Sequence, residues 1–231
     1  GQLKMFDVRM ADALVNLTAN KGVLDIHQET RLYEGTLKGD AGIDFRSGKP
    51  KTVVKTVLTA VQGGPLLADV TGVDRIIGKA NANVDLSMQG AEVDEIKRTL
   101  TGTTRFAFAD GALKGINLAK MIRSTYQVVK GTPSEANDNV EQTDFSEFSA
   151  TVKWDKGLAR NDDLSLKSPL LRVGGDGQVD LPRDSVNYQL RVALVGSLVG
   201  QGGKTMGELK NITVPIRVTG SPTRPHYQVD L

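Results

Sequence analysis

Apolar and polar side chains alternate with period two over most of the 231 residues. That pattern predicts a mainly-β chain: one large, curled, trough-like antiparallel sheet with about three short α-helices. Two further observations support the fold class. The alternating segments are separated by short turn cues, and only three stretches show helical spacing instead. Each strand has one dry and one wet face, as in an antiparallel sheet with one face solvated, not a parallel sheet covered on both sides.

Taken in order, Gln2–Met10, Ala13–Ala19, Gly22–His27, Thr36–Phe45 and Thr52–Gln62 read as strands, with Asn20-Lys21-Gly22 and Ser47-Gly48-Lys49-Pro50 as turns between them. Gly64–Gly78 places Leu66, Leu67, Val70, Val73, Ile76 and Ile77 at helical spacing after Pro65, which suits a first helical turn. Lys79–Gly90 alternates strictly, with Ala80, Ala82, Val84, Leu86 and Met88 on one side and Asn81, Asn83, Asp85 and Ser87 on the other. A short amphipathic helix over Glu92–Leu100, ended by Gly102, and a strand at Thr103–Phe108 follow. Asn117 then caps a third helix through Val129, with Leu118, Met121, Ile122, Tyr126 and Val129 as its apolar stripe. Amphipathic helices of this kind cover a sheet face far more often than they hold a cofactor, and no cofactor is implied.

The second part is all strand. Phe145–Trp154 and Leu158–Leu166 precede Leu171–Leu181, where Leu171, Val173, Val179 and Leu181 share a face with Gly175 and Gly177. Val186, Tyr188, Leu190, Val192 and Leu194 alternate with polar neighbours, as do Ile212, Val214, Ile216 and Val218. Pro215 falls inside that last pattern. Proline cannot donate to the ladder, so an edge strand or a bulge is expected there. The polar stretch over 130–143 reads as a mobile loop, and the Gly-rich stretch Gly196–Lys210 as a second flexible connection. The expected organisation is a single domain over 1–231, with a mixed part at 1–130 and an all-β part at 144–231.

Composition closes off several classes of function. Hydrophobic residues at 39% and charged residues at 24% exclude wholesale disorder, and a net charge of +2 leaves no electrostatic footprint for nucleic acid. The absence of Cys removes thiolate catalysis, disulfides and cysteine-ligated metals. No apolar run approaches the ~20 residues of a membrane-spanning helix. The opening residues do not resemble a signal peptide either, so the chain reads as a piece of a longer protein whose anchor lies elsewhere.

Motifs that would carry chemistry are weak. Gly200-Gln201-Gly202-Gly203-Lys204-Thr205 has Leu198 where a phosphate loop needs glycine. Asp25, His27 and Glu29 share a strand face at alternate positions, a set better explained as a solvated face than as a metal site, and His226 reads as a surface residue. No Gly-x-Ser-x-Gly elbow is present. The carboxylates Asp162, Asp163, Glu92, Asp94 and Glu95 form no recognisable pair, and the sequons at Asn16 and Asn211 fall in strand-like stretches. No catalytic or metal residue is assigned, and the chain does not read as an enzyme. What remains is the dry side of the sheet. An apolar groove for acyl chains would use Ala82, Val84, Leu86, Met88, Val173, Val179, Leu190 and Val192.

Two segments carry a family resemblance: Leu100–Leu118, of the form L-x-G-x(7)-D-G-x-L-x-G-I-N-L, and Pro215–Leu231, of the form P-I-x-V-x-G-x(4)-P-x(5)-L. With the order of the intervening strands, they make the chain similar to the carboxy-terminal region of the AsmA family of Gram-negative envelope proteins. The family usually has Asp where Asn117 stands, a change that keeps the helix cap. The resemblance implies a periplasmic protein tethered to the inner membrane by a helix outside this chain. It further implies a kinship with bridge-like lipid transfer proteins and a role in outer-membrane assembly or phospholipid movement. Expected partners are then phospholipid or another acyl lipid, with envelope proteins as further partners. The competing expectation is a non-enzymatic envelope scaffold whose core is closed by its helices and which acts through protein contacts at its sheet edges. A hydrolase is the third class, and the missing nucleophile motif argues against it.

Overall fold

A computed structural model describes residues 2–5, 8–72, 74–122, 124, 141–195 and 213–230. These form one antiparallel sheet of 13 strands in strict sequence order. The strands are β1 (Gln2–Met5), β2 (Val8–Asn20), β3 (Val23–Leu32), β4 (Gly35–Asp44), β5 (Lys51–Gln62), β6 (Ile76–Gln89), β7 (Thr101–Lys114), β8 (Gln142–Asp155), β9 (Leu158–Lys167), β10 (Leu171–Asp180), β11 (Ser185–Leu194), β12 (Thr213–Ser221) and β13 (Arg224–Val229). Helix α1 (Gly63–Thr71) joins β5 to β6, and α2 (Val93–Thr99) joins β6 to β7. A third helix, α3, starts at residue 118. Among the described residues β1 pairs only with β2 and β13 only with β12, so the meander is an open sheet and not a barrel.

Several expected boundaries move, each for a local reason. Gly72 adopts a left-handed φ of 73° and its N–H caps Ala68 O, which stops α1 well before Gly78. Ile76 and Ile77 therefore open β6, paired with Leu113 and Ala112, although their spacing suited a helix. Helix α2 ends at Thr99, and Gly102 lies inside β7, where a Cβ would sit 2.1 Å from Asp85 O. The first expected strand is split between β1 and β2. Gln142 and Thr143 open β8, although they read as the end of a polar loop. Residues 125–140 and 196–212 lie outside the described residues, and with them most of that loop and the Gly-rich connection.

Strand β13 was hidden by Pro225 and its charged flanks, yet Pro225, Tyr227 and Val229 alternate with exposed residues as a one-sided strand should. Its presence makes β12 an internal strand and corrects the expected position of Pro215. The proline pairs with Arg191 on one side and accepts from Asp230 N on the other, 3.0 Å away. N–H and C=O of one residue point to the same neighbour in an antiparallel ladder, so the missing donor faces the last rung of β13.

Bulges bend the sheet. Register shifts occur between Ala11 and Leu14, between Leu58 and Val61, and between Ile77 and Lys79. Each coincides with a non-glycine residue at positive φ: Asp12 at 51°, Ala60 at 52° and Asp110 at 48°. An extra residue of this kind raises local twist and bends its strand. The backbone groups freed by bulging find partners, since Ala60 N donates to Asn81 Oδ1 at 3.0 Å and buried Thr30 Oγ1 donates to Ala11 O at 3.1 Å. These three bulges lie toward the end of the sheet where α1 and α3 pack, and two further register shifts fall at Gly175/Gly177 and Ser149/Lys153.

Candidate functional site

The register assigns every strand residue to one of two faces. Across β2–β6 one rung of the inner face runs Leu17, Ile26, Ala41, Val54 and Leu86. A second runs Ala19, Leu24, Ile43, Thr52 and Met88, and a third Val15, Gln28, Gly39, Thr56 and Val84. With strands ~4.8 Å apart, each rung crosses about 19 Å of sheet. The inner positions of β3–β6 carry no charged side chain. The outer positions carry most of the charge, including Asp25, His27, Glu29, Lys38, Asp40, Lys55 and Asp85.

Coverage of the inner face is uneven. Beyond α1 much of it is closed: Phe108, Phe145, Phe148, Leu166, Leu171, Val173, Val192, Leu194, Val214 and Ile216 form one buried cluster with Leu118 and Ile122 of α3. Phe106 and Phe148 meet edge to face at 5.3 Å, Phe106 and Phe108 at 5.7 Å, and Phe145 packs tilted on Phe148 at 5.7 Å. Leu67 of α1 and Ile76 pack on this cluster from one side, and Tyr227 and Val229 of β13 from the other. Among the described side chains of β2–β5, Leu32 and Val61 are the buried large apolar residues, and Leu17 is left 63% exposed and Val15 39%.

Of the proposed acyl-contact residues, Ala82, Val173 and Val192 lie inside the closed core, and Val192 has no exposure at all. Val84, Leu86 and Met88 are half-buried at the border of the bare face, and Val179 and Leu190 are half-buried within the closed part. Sequence reasoning missed the inner residues of β2–β5, above all Leu17, Ile26, Ala41 and Val54. Their alternation was legible, but nothing local showed that they would be the uncovered ones.

The third helix is seated by a residue that the sequence did not single out. Thr143 is buried, accepts from Leu118 N at 3.1 Å and donates to Ile116 O at 2.8 Å. Asn117 caps the helix as expected, with Lys120 N donating to its Oδ1 at 2.8 Å.

The outer face holds the polar features. One depression of ≈ 810 Å³ is lined by His27, Lys38, Asp40, Lys55, Asp85 and Arg105 among others. His27 Nδ1 lies 2.7 Å from Asp40 Oδ1, and Lys38 Nζ lies 2.6 Å from Glu29, so His27 and Glu29 of the alternate triplet meet partners on β4. Among the described residues no group of three or more His, Cys, Asp or Glu could hold a metal ion. Arg46 hydrogen-bonds Asp44 and holds its carboxyl down at about 2. Burial alone would raise Asp163, but hydrogen bonds from Thr151 and Asn161 bring it down overall. Burial also pushes the Tyr188 and Tyr227 hydroxyls up.

An open antiparallel meander that carries most of its charge on one face, with short helices over part of the other, defines the class: an open antiparallel β-sheet protein. Within that class the chain belongs to the AsmA family, whose sequence profile matches residues 1–164. It is 23% identical over 225 residues to Protein AsmA of Escherichia coli (strain K12), a match that covers 97% of this chain and 36% of that protein. The chain thus spans about a third of its relative's length. No solved structure matches it. No helix among the described residues is long and apolar enough to cross a membrane.

Proposed function

We propose that this chain is a periplasmic part of an inner-membrane-anchored envelope protein and takes part in outer-membrane assembly by holding phospholipid acyl chains on the inner face of β2–β6. The observation that carries this reading is the set of three uncharged rungs left partly bare beside a closed core. Family membership supports the envelope setting. Exposing one CH₂ to water costs about 0.8 kcal/mol, so a 16-carbon tail withdrawn from a membrane faces on the order of 12 kcal/mol. A shallow, mainly apolar floor offsets much of that cost without trapping the lipid, because it offers no charged group and only a few polar ones, Gln28, Thr52 and Thr56. Val84, Leu86 and Met88 would share the contact with Leu17, Ile26 and Val54. No chemical step is required of any residue.

Organic extracts of the purified chain, analysed by mass spectrometry, test the proposal. Co-purifying phospholipid is the expected result, and extracts repeatedly free of lipid after exposure to phospholipid vesicles would overturn it. The closed core of β6–β13 favours one second reading, a scaffold that recruits envelope proteins by strand addition at the free edge of β13. Under that reading the chain binds no lipid, and blocking the β13 edge abolishes partner capture.

A further inference from the structure

The inner rungs that carry Val84 and Leu86 do not end at β6. The first continues through Thr104 to Val152, and the second through Gly102, Trp154, Ala159 and Val179 to Val186. No charged side chain occupies either run. Among the described residues Val152, Trp154, Val179 and Val186 are half-buried, and they do not belong to the buried cluster around Phe108, Phe148 and Leu166. The ring contacts of the four phenylalanines do not include Trp154 either. Trp154 is the one tryptophan of the chain and the largest side chain on these two rungs. It stands between Gly102 and Ala159, which offer nothing larger than a methyl group to cover it from either side of its rung. Residue 102 has to be glycine, because its φ is 128° and a Cβ there would fall 2.1 Å from Asp85 O. The indole Nε1 donates to Thr104 Oγ1 at 3.2 Å, which draws the ring from its own rung toward the neighbouring one.

We propose that Trp154 is an acyl-contact residue, so that the face holding a phospholipid tail runs on from Leu86, past Gly102, to the indole ring. This rests on the acyl-holding reading above and adds a residue of β8 that carries the contact beyond β6. The occupant is a phospholipid tail because the two rungs are continuous with Val84 and Leu86, bear no charge and, up to the ring, present Thr104 as their one polar side chain. That hydroxyl is already engaged by the indole. The indole suits such a contact for the same reason. Its N–H has an acceptor, so a tail can lie against the ring without leaving a buried donor unpaired. Covering the half-buried ring then removes apolar area of both ring and tail from water, which favours the contact.

Bromine on a lipid tail quenches an indole that it touches, and in a chain with one tryptophan the emission reports on one place. The chain is incubated with vesicles of phosphatidylethanolamine and phosphatidylglycerol whose tails are brominated, then separated from the vesicles by flotation. Its emission is compared with that of chain treated with the same lipids without bromine. Loss of emission with the brominated tails is the expected result. Undiminished emission from chain whose organic extract contains the brominated lipid would overturn the contact at Trp154 and leave the acyl-holding reading in place. Undiminished emission with extracts free of lipid would overturn both. Trp154→Phe keeps an aromatic ring and should retain the lipid recovered per chain, whereas Trp154→Ala should lower it, with thermal melting of both variants followed in parallel. Full recovery of lipid from a folded Trp154→Ala chain would overturn the ring as a contact.

Discussion

Strands β2–β5 and strands β6–β13 are written in the same alternating pattern and belong to the same sheet, yet they bury their apolar sides to different degrees. In β6–β13 the inner residues meet one another, α3 and α1, and Val192, Leu166, Leu171 and Ile216 are nearly or wholly withdrawn from water. In β2–β5 most inner residues other than Thr30, Leu32 and Val61 stop at half-burial, and Leu17 on the inner face of β2 is mostly exposed. Helix α1 reaches β2, β5 and β6, and covers mainly one end of the strands. Alternation therefore determines which face is dry, and curvature determines whether that face finds a partner.

Charge substitution breaks this comparison most strongly. Val192→Asp places an unpaired carboxylate in the closed core and should cost on the order of 4 kcal/mol. Leu17→Asp, already facing water, should stay within about 0.5 kcal/mol of the parent. Thermal or urea denaturation of the two variants measures the gap, and equal losses would mean that the β2–β5 face is covered in solution. Leu86→Asp, at the border, should fall between them and should reduce lipid co-purification while leaving the chain folded.

Glycine substitutions give the next largest contrast. A Cβ at Gly111 in β7 would lie 2.0 Å from Ile77 O and 2.7 Å from Phe145, so Gly111→Ala should cost about 2 kcal/mol. At Gly42 in β4 the nearest atom is Asp25 Oδ1 at 3.6 Å, and Gly42→Ala should be neutral within about 0.5 kcal/mol. Denaturant midpoints at a common slope decide this pair. A smaller contrast comes from threonines. Thr143→Val removes the partner of Leu118 N and Ile116 O and should cost about 1.5 kcal/mol, read as a lower melting temperature and faster amide exchange at Leu118. Thr56→Val on the half-buried floor should change stability by less than about 0.5 kcal/mol.

The smallest effect is electrostatic. Asp44 titrates at about 2 in the folded chain against an ordinary 3.8, because Arg46 hydrogen-bonds the ionised form. A depressed folded value contributes stability above the unfolded pKa, and that contribution disappears as pH falls from about 3.8 toward 2. NMR titration should find Asp44 low and find it restored toward its ordinary value in Arg46→Ala. Because the pair is exposed, the melting temperature at neutral pH should not move measurably.

Much of the fold was legible in local pattern. Lys79–Gly90, Leu171–Leu181 and Val186–Leu194 alternate so regularly that their strands and their dry faces follow directly. Asn117 likewise marks its helix by a side-chain oxygen that reaches Lys120 N. The misreadings share one cause. Ile76 and Ile77 suit a helix by spacing, but cross-strand pairing with β7 holds them in a strand. Pro215 suits an edge until β13 is added beyond it. At the candidate site, Val84, Leu86 and Met88 were identified from alternation alone. Ala82, Val173 and Val192 have the same local signature and are buried, and the barest inner residues, Val15 and Leu17, went unremarked.

The sequence by itself determined the class of fold, the one-sidedness of each strand and the family, because period-two alternation and turn residues act within a few neighbours along the chain. Only the tertiary structure decided which stretch of apolar face is filled and which is left bare. That outcome depends on bulges at Asp12, Ala60 and Asp110 and on a curl that brings Arg75 to Thr223 across 148 residues of chain, contacts that no local window contains.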